Sequence, residues 1–199
     1  MAMTRIEVRT EGPRVDAAGL LPATLIADLR TDHAGETGAV MIYRGILATT
    51  RYGAVRHFAR EHLATEAGHL AAIEPLLSRR QRSRLLPLWR IAGWLTGALP
   101  ALFGPRAVYA TIEAVETFVD RHYAEQIGSM DRQDPAGTHP LLQALRALLR
   151  TCRADEVAHR DEAVALFALA GQPPAVALRV WAWLVGTGSR GAVRIFRLI

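Results

Sequence analysis

The chain has 199 residues and a formal net charge of +5; half its residues are hydrophobic and 7% aromatic, which suffices for one domain with a sizeable core. Cys152 is the only cysteine and there is no lysine, which excludes an intrachain disulfide, a Schiff-base lysine and a phosphate-loop lysine. All 24 basic residues are arginine, without an aromatic-interleaved basic run or a DNA-binding motif, so the charge suits an anionic membrane surface better than nucleic acid.

The opening, Met1–Leu21, mixes Arg5, Arg9 and Arg14 with Glu7, Glu11 and Asp16, so neither a secretory signal nor a transit peptide is expected there. A flexible extension over residues 1–21 of a single domain, 1–199, is expected instead. The first helix is predicted from Pro22 to Thr50, with proline early, where its missing N–H is not needed. A second helix is predicted over Ala54–Leu77, before the polar stretch Ser78–Arg84. An apolar segment follows, Leu85–Phe103, broken by Pro87, Arg90 and Pro100. Further helices are predicted over Pro105–Met130 and Pro140–Ala170, separated by a loop at Asp131–His139. Gly171, Pro173 and Pro174 end the latter helix, and a last helix is predicted over Ala175–Val185. A weak two-fold repeat, helix pair plus helix pair, runs through this order.

Two Glu-x-x-His motifs stand out, Glu66-Ala-Gly-His69 and Glu156-Val-Ala-His159. On a helix, residues three apart share a face, so each motif aims a carboxylate and an imidazole at one point. With this many Glu and His, chance supplies about 0.4 such motifs, so two are suggestive. Their surroundings sharpen the reading. The inward positions read Val55, Phe58, His62, Glu66, His69, Ile73 in one helix and Leu145, Leu149, Cys152, Glu156, His159, Ala163, Leu166 in the other. Glu36 falls on a similar stripe of the first helix, Leu29 to Leu47, and Glu116 on that of the fourth segment, Tyr109 to Tyr123. An unpaired carboxylate on such a face costs several kcal/mol, and a metal ion removes that cost. The order Glu, Glu-x-x-His, Glu, Glu-x-x-His over four helices is the ligand set of ferritin-like di-iron and di-manganese carboxylate proteins. Carboxylate oxygen plus imidazole suits iron or manganese. The fold expected is all-α, a ferritin-like four-helix bundle with additional membrane-facing apolar helices. Glu61, Glu74, Glu113, Glu125 and Glu162 read as solvated faces, and His33, His57 and His139 as surface residues. His62, one turn before Glu66 on the inward stripe, is left open between core and site.

Asp32-His-Ala-Gly-Glu36-Thr-Gly-Ala-Val-Met-Ile-Tyr43 resembles the first-helix motif of the demethoxyubiquinone hydroxylases of ubiquinone biosynthesis. Val115-Glu116 with His122-Tyr123 and Gln126 resembles their third ligand helix, and Asp155-Glu156-Val-Ala-His159-Arg-Asp161 their fourth. The resemblance runs from about Leu25 to the C-terminus. It departs at Arg44-Gly45-Ile46, where the family often has Gly-Gln, and in the tail Arg197-Leu198-Ile199. It implies O₂-dependent hydroxylation of the quinone ring of a demethoxyubiquinone by a di-iron monooxygenase, with two Fe(II) held by Glu36, Glu66, His69, Glu116, Glu156 and His159. NADH is the reductant considered; no dinucleotide motif is present to bind it. A ferritin-like or rubrerythrin-like protein, storing iron or reducing peroxide, shares the ligand set and is one alternative; a catalytically silent helical bundle acting as a membrane adapter is the other. Asp155 is expected to orient His69 from outside the ligand set, and Tyr123 and His122 to neighbour the iron or the quinone.

A lipid-dissolved substrate implies a membrane-facing enzyme, peripheral at the cytoplasmic face of the cell membrane. The uncharged stretch Ile91–Pro105 has 15 residues, too few to span a bilayer. Trp89 and Trp94 are expected at the lipid boundary and Arg79, Arg80, Arg82 and Arg84 against anionic head groups. Trp181 and Trp183 with Arg179, Arg190, Arg194 and Arg197 repeat the recipe; the alternative is that both stretches are core helices with arginine caps. The partners expected are the quinone, the membrane surface and, for assembly, a second copy of the chain or other quinone-biosynthesis proteins.

Overall fold

The computed structural model describes residues 22–169, 180, 181, 183–188 and 191, and every regular element among them is helical. The helices are α1 (Ala23–Thr49), α2 (Gly53–Ile73), α3 (Leu86–Leu102), α4 (Pro105–Gln133) and α5 (Pro140–Leu169), with a 3₁₀ turn at Glu74–Leu76. Residues 180–181 and 183–188 are also helical; 1–21 and the positions of Arg179, Arg190, Arg194 and Arg197 lie outside the described residues.

Three differences from the sequence reading have local causes. α2 ends at Ile73 because Pro75 enters, and the chain tightens into the 3₁₀ turn. α3 is one unbroken helix: Pro87 occupies its first turn, where no N–H is required, and Pro100 sits in its last turn, its carbonyl accepting the Phe103 N–H at 2.9 Å. α4 runs on to Gln133, shortening the loop, whose Asp134 accepts from the backbone N–H of Thr138 (3.0 Å) and His139 (3.1 Å) and from Arg146 (2.8 Å).

The long helices α1, α2, α4 and α5 are antiparallel within each hairpin, α1 with α2 and α4 with α5. Their apolar faces form two core clusters. One gathers Leu25, Leu29, Tyr123, Met130, Leu145 and Leu149; the other Tyr43, Ile46, Phe58, Val108, Ile112 and Ala163. Glu36, Glu66, Glu116 and Glu156 lie along their helices between the residues of the two clusters, so a polar layer divides the core. The α1–α2 turn is closed by Arg56, whose guanidinium donates to the Leu47 (3.0 Å) and Thr50 (3.3 Å) carbonyls at the α1 C-terminus.

α3 is clasped onto α1 backbone to backbone. A Cβ on Gly97 would fall inside the van der Waals shell of the Ile42 carbonyl oxygen, one on Gly93 would lie 2.7 Å from the Gly38 carbonyl oxygen, and one on Gly45 would strike the Trp94 carbonyl. Small residues on both helices thus permit a contact that any side chain would wedge apart. Thr49 Oγ1 reaches across to the Ala98 carbonyl at 3.2 Å. The turn into α4 uses Gly104 at φ +99, a conformation that favours glycine, followed by Pro105 at the first helical position.

Gly97→Ala is therefore expected to lower stability by about 1–3 kcal/mol, the usual cost of overpacking. Gly68→Ala, where an added Cβ meets nothing within 4 Å, is expected to stabilise by about 0.5–1 kcal/mol, since mid-helix glycine is entropically unfavourable. Thermal melting of the two variants beside wild type checks both signs.

Candidate metal centre

Each of the four long helices delivers its carboxylate to one buried point. Glu36, Glu66, His69, Glu116, Glu156 and His159 are all buried, none more than 7% exposed. They form two overlapping groups of donor atoms, each within 4.8 Å: Glu36, Glu66, His69 and Glu156, and Glu66, Glu116, Glu156 and His159. Glu66 and Glu156, the carboxylates of the two Glu-x-x-His motifs, belong to both. The two groups differ in their other members, Glu36 with His69 in one and Glu116 with His159 in the other. His69 Nδ1 lies 3.3 Å from Glu156, 3.6 Å from Glu36 and 3.7 Å from Glu66, and His159 Nδ1 lies 3.0 Å from Glu66.

The donor atoms converge without satisfying one another. Glu36 Oε2, both Glu66 carboxylate oxygens, Glu116 Oε2 and the Nδ1 atoms of both histidines are buried with no hydrogen-bond partner. Such atoms cost about 1–3 kcal/mol each when left unmade, more when charged. A pair of divalent cations accepts lone pairs from all of them, so the residues fit a two-metal centre of the oxygen and imidazole type.

The charge pattern agrees. Burial first, then repulsion from neighbouring carboxylates, pushes Glu66 and Glu116 well above the ordinary glutamate value and Glu156 to about 8. Burial alone would lower His69, but the Glu156, Glu36 and Glu66 carboxylates around it outweigh burial and hold it high. His159 goes the other way, to about 4, through burial and then repulsion from His69. Without a cation Glu66, Glu116, Glu156 and His69 thus hold protons more tightly than their ordinary values.

Two tyrosines complete it in a crossed pattern. Tyr43, seven residues after Glu36 on α1, donates to Glu116 Oε1 on α4 at 3.0 Å; Tyr123, seven residues after Glu116, donates to Glu36 Oε1 on α1. The sequence reading gave Tyr43 no role and missed this, although the repeated Glu-x₆-Tyr spacing was there to be read. Asp155 Oδ2 lies 3.0 Å from His69 Nε2, across the bundle. His122 Nε2 lies 3.1 Å from Asp32 Oδ1, which also accepts from Gln126 at 2.7 Å.

An apolar cavity of about 340 Å³ reaches the cluster, with Glu36, Glu66, Glu116, Glu156, Asp32, His122 and Tyr123 among its lining. α3 supplies one wall through Trp89, Ala92, Gly93 and Thr96, and Trp181, Leu184 and Val185 supply another. Trp181 Nε1 donates to Thr111 Oγ1 at 2.9 Å, pinning that wall to α4.

Three sequence readings change here. Trp89 lines the cavity against Gly38, where an added Cβ would meet its Nε1 at 2.5 Å, so it faces inward rather than outward. Arg82 is turned onto the Glu74 carboxylate and the Glu74 carbonyl, so it braces the 3₁₀ turn while Arg79, Arg80 and Arg84 are exposed. His33 is buried, 3.8 Å from Glu74, because its side of α1 is covered by the chain after α2; His57 and His139 are exposed. Glu162 is half-exposed yet lies 2.9 Å from the buried His62.

These features define a helix-bundle protein with a carboxylate-rich, two-histidine cluster of metal-ligating groups at the floor of an apolar cavity. Residues 14–196 match the family described as Ubiquinone biosynthesis protein COQ7, and the chain belongs to that family. It is 42% identical over 148 residues to the 3-demethoxyubiquinol 3-hydroxylase of Rhodospirillum rubrum, covering 70% of this chain and 64% of that protein. The chain thus spans a little under two thirds of that relative's length. It is 32% identical over 160 residues, 79% of this chain and 71% of the relative, to the Homo sapiens protein named NADPH-dependent 3-demethoxyubiquinone 3-hydroxylase, mitochondrial. The Caenorhabditis elegans protein of the same name is 31% identical over 169 residues, 84% of this chain and 86% of the relative.

The retained protons fix the pH dependence of the metal-free protein. Between pH 6.5 and 8 folded Glu156, at about 8, keeps a proton that an unfolded glutamate has lost, and the raised Glu66, Glu116 and His69 act with the same sign. The depressed His159 opposes them only between about 4 and its ordinary 6.5. Stability of chelator-treated protein is expected to fall as pH rises from 6.5 to 8, by about 1.4 kcal/mol per retained proton per pH unit. Metal-loaded protein, its site protons displaced, is expected to lose less. Melting curves at several pH values check this; a metal-free protein whose melting temperature rises over the window contradicts the protonated cluster.

Proposed function

We propose that this chain hydroxylates the quinone ring of a demethoxyubiquinone, using O₂ and two iron ions held by Glu36, Glu66, His69, Glu116, Glu156 and His159. The observation that carries the reading is the pair of overlapping donor groups opening onto an apolar cavity. The printed names of the relatives support the substrate class, and the name NADPH-dependent, borne by several, supports a reduced nicotinamide as electron source. An iron-storing or peroxide-reducing bundle needs no apolar cavity of this kind, so that alternative explains less.

Ring hydroxylation places one oxygen atom of O₂ in a carbon–hydrogen bond and sends the other to water, consuming two electrons and two protons. A bound pair of ferrous ions supplies electrons to O₂. The chain's own residues do the rest. Glu66 and Glu156, which belong to both donor groups, would hold the ions together with Glu36 and Glu116, each fixed by a tyrosine from the opposite helix, and with His159 and His69, the latter fixed by Asp155. The ring enters between α3 and Trp181, Leu184 and Val185, where Trp89, Val115 and Val119 exclude water. Asp32 and His122, beside Tyr123, offer polar contacts for the ring oxygens.

The outer face of α3 supports peripheral docking at the cytoplasmic face of the cell membrane. Leu88, Ile91, Leu95, Leu99 and Leu102 recur at helical spacing and are all exposed, Leu88 and Leu102 by 64%, beside the exposed Trp94 and Phe103. Among the described residues no helix is long and apolar enough to cross a membrane. Exposed Arg79, Arg80 and Arg84 flank this face with charge suited to anionic head groups.

Reduced protein given O₂ and a short-tailed demethoxyquinone is expected to form the hydroxylated quinone, read by mass spectrometry. Glu156→Ala is expected to abolish product and lower iron content; full turnover in that variant sinks the assignment. Asp155→Asn is expected to weaken metal affinity or activity about 10- to 100-fold, and wild-type values would remove Asp155 from the site. Wild type is expected to float with vesicles containing anionic lipid, less so at high salt, and replacing Leu88, Ile91 and Leu99 by serine to release it with its iron intact. Equal flotation of that variant contradicts the docking face.

A further inference from the structure

The two histidines of the centre are supported differently, and the difference isolates His62. His69 has Asp155 on its outer nitrogen. His159 instead has a ring against it: the His62 imidazole lies with its centroid 3.9 Å from that of His159, at 44°. Phe58 covers the other side of His62 at 4.1 Å. Its two nitrogens are also engaged, Nε2 at 2.9 Å from Glu162 Oε2 and Nδ1 at 3.4 Å from the Tyr43 hydroxyl. Tyr43 in turn donates to Glu116 at 3.0 Å. His62 therefore touches His159 directly and Glu116 through Tyr43. Both belong to one of the two donor groups; Glu36 and His69 are held by Tyr123 and Asp155.

The two-fold repeat shows that this arrangement is not forced by the bundle. His62 stands four residues before Glu66, and the position four before Glu156 is Cys152, which packs in the apolar cluster of Leu145 and Leu149. One half of the centre thus has an imidazole where the other has an apolar filler. On the reading of a two-metal centre proposed above, we infer that His62 is a positioning residue for one metal ion only, the one bound by Glu116 and His159. The line Glu162, His62, Tyr43, Glu116 ties that ion's carboxylate to the half-exposed edge of α5, while the ring of His62 fixes the plane of His159.

The test is anaerobic titration of metal-free protein with Co(II), followed by calorimetry and by the visible absorption of the bound ions. Wild type is expected to take up two ions. His62→Ala is expected to weaken one of them about 10- to 100-fold and shift its absorption, leaving the other within about twofold. His62→Phe keeps a ring between Phe58 and His159 and lacks both nitrogens, so it is expected to recover part of the affinity; it also carries the test if the alanine variant fails to fold. Melting of the metal-free variants separates folding losses from binding losses. Wild-type affinity and spectrum in both variants overturn the proposal, and so does equal weakening of both ions, the mark of general packing damage. A wild type that binds no Co(II) overturns the metal reading itself and this inference with it, whereas two-ion uptake by wild type and variants alike removes only the role of His62.

Discussion

Four carboxylates in the middle of an apolar bundle are the constraint on which the rest of this structure depends. Two like charges about 4 Å apart repel by roughly 4 kcal/mol at the effective dielectric typical of proteins, and burial adds a desolvation cost. A core of leucine and isoleucine offers nothing to offset this. The fold answers with Tyr43 and Tyr123 on the outer carboxylates, His69 and His159 inside the cluster, and Asp155 behind His69. Several donor atoms still go without partners, all aimed at the same small volume. The helices are held in register by packing above and below that layer, so the cluster is paid for by two apolar clusters that remain uninterrupted.

The crossed tyrosines make the internal repeat physical. Glu36 with Tyr43 and Glu116 with Tyr123 are the same spacing on two helices, each completing the other's carboxylate. The halves then diverge in what surrounds them. Tyr123 borders the cavity with Asp32 and His122 nearby, while Tyr43 looks away from it, towards His62. A symmetric ligand frame is thus set in asymmetric surroundings: all four glutamates line the cavity, but of the two tyrosines only Tyr123 does.

The helices and the convergence of Glu36, Glu66, His69, Glu116, Glu156 and His159 were legible in the sequence, because period and stripe report directly which residues share a buried face. What was not legible depends on partners across the bundle. The stripes of two different helices hold Glu66 and Glu156, and only the packed helices show that both fall in both donor groups. His33 read as a surface residue because no property of α1 announces the chain segment that covers it. Trp89 and Trp94 looked alike as boundary tryptophans; the crossing of α3 over Gly38 sends one inward and leaves the other partly outside. Pro100 read as a break, but a proline in the last turn costs little when the residue three later closes its carbonyl. Arg82 read as one of a basic cluster, and its bond to Glu74 is set by a 3₁₀ turn invisible to periodicity.

The glycine clasp between α1 and α3 bears on how this cavity could be reshaped. Gly38, Gly93 and Gly97 meet neighbouring backbone or the Trp89 ring directly, so the distance of the α3 backbone from α1 is set by main chain, which no side-chain exchange can shorten. The opposite wall, Trp181, Leu184 and Val185, is made of side chains on a segment fastened to α4 through Thr111. A protein engineer seeking room for a bulkier ring would find adjustable volume there and in the Trp89 side chain, but none by shifting α3 itself, much as a vice has one fixed jaw and one that travels.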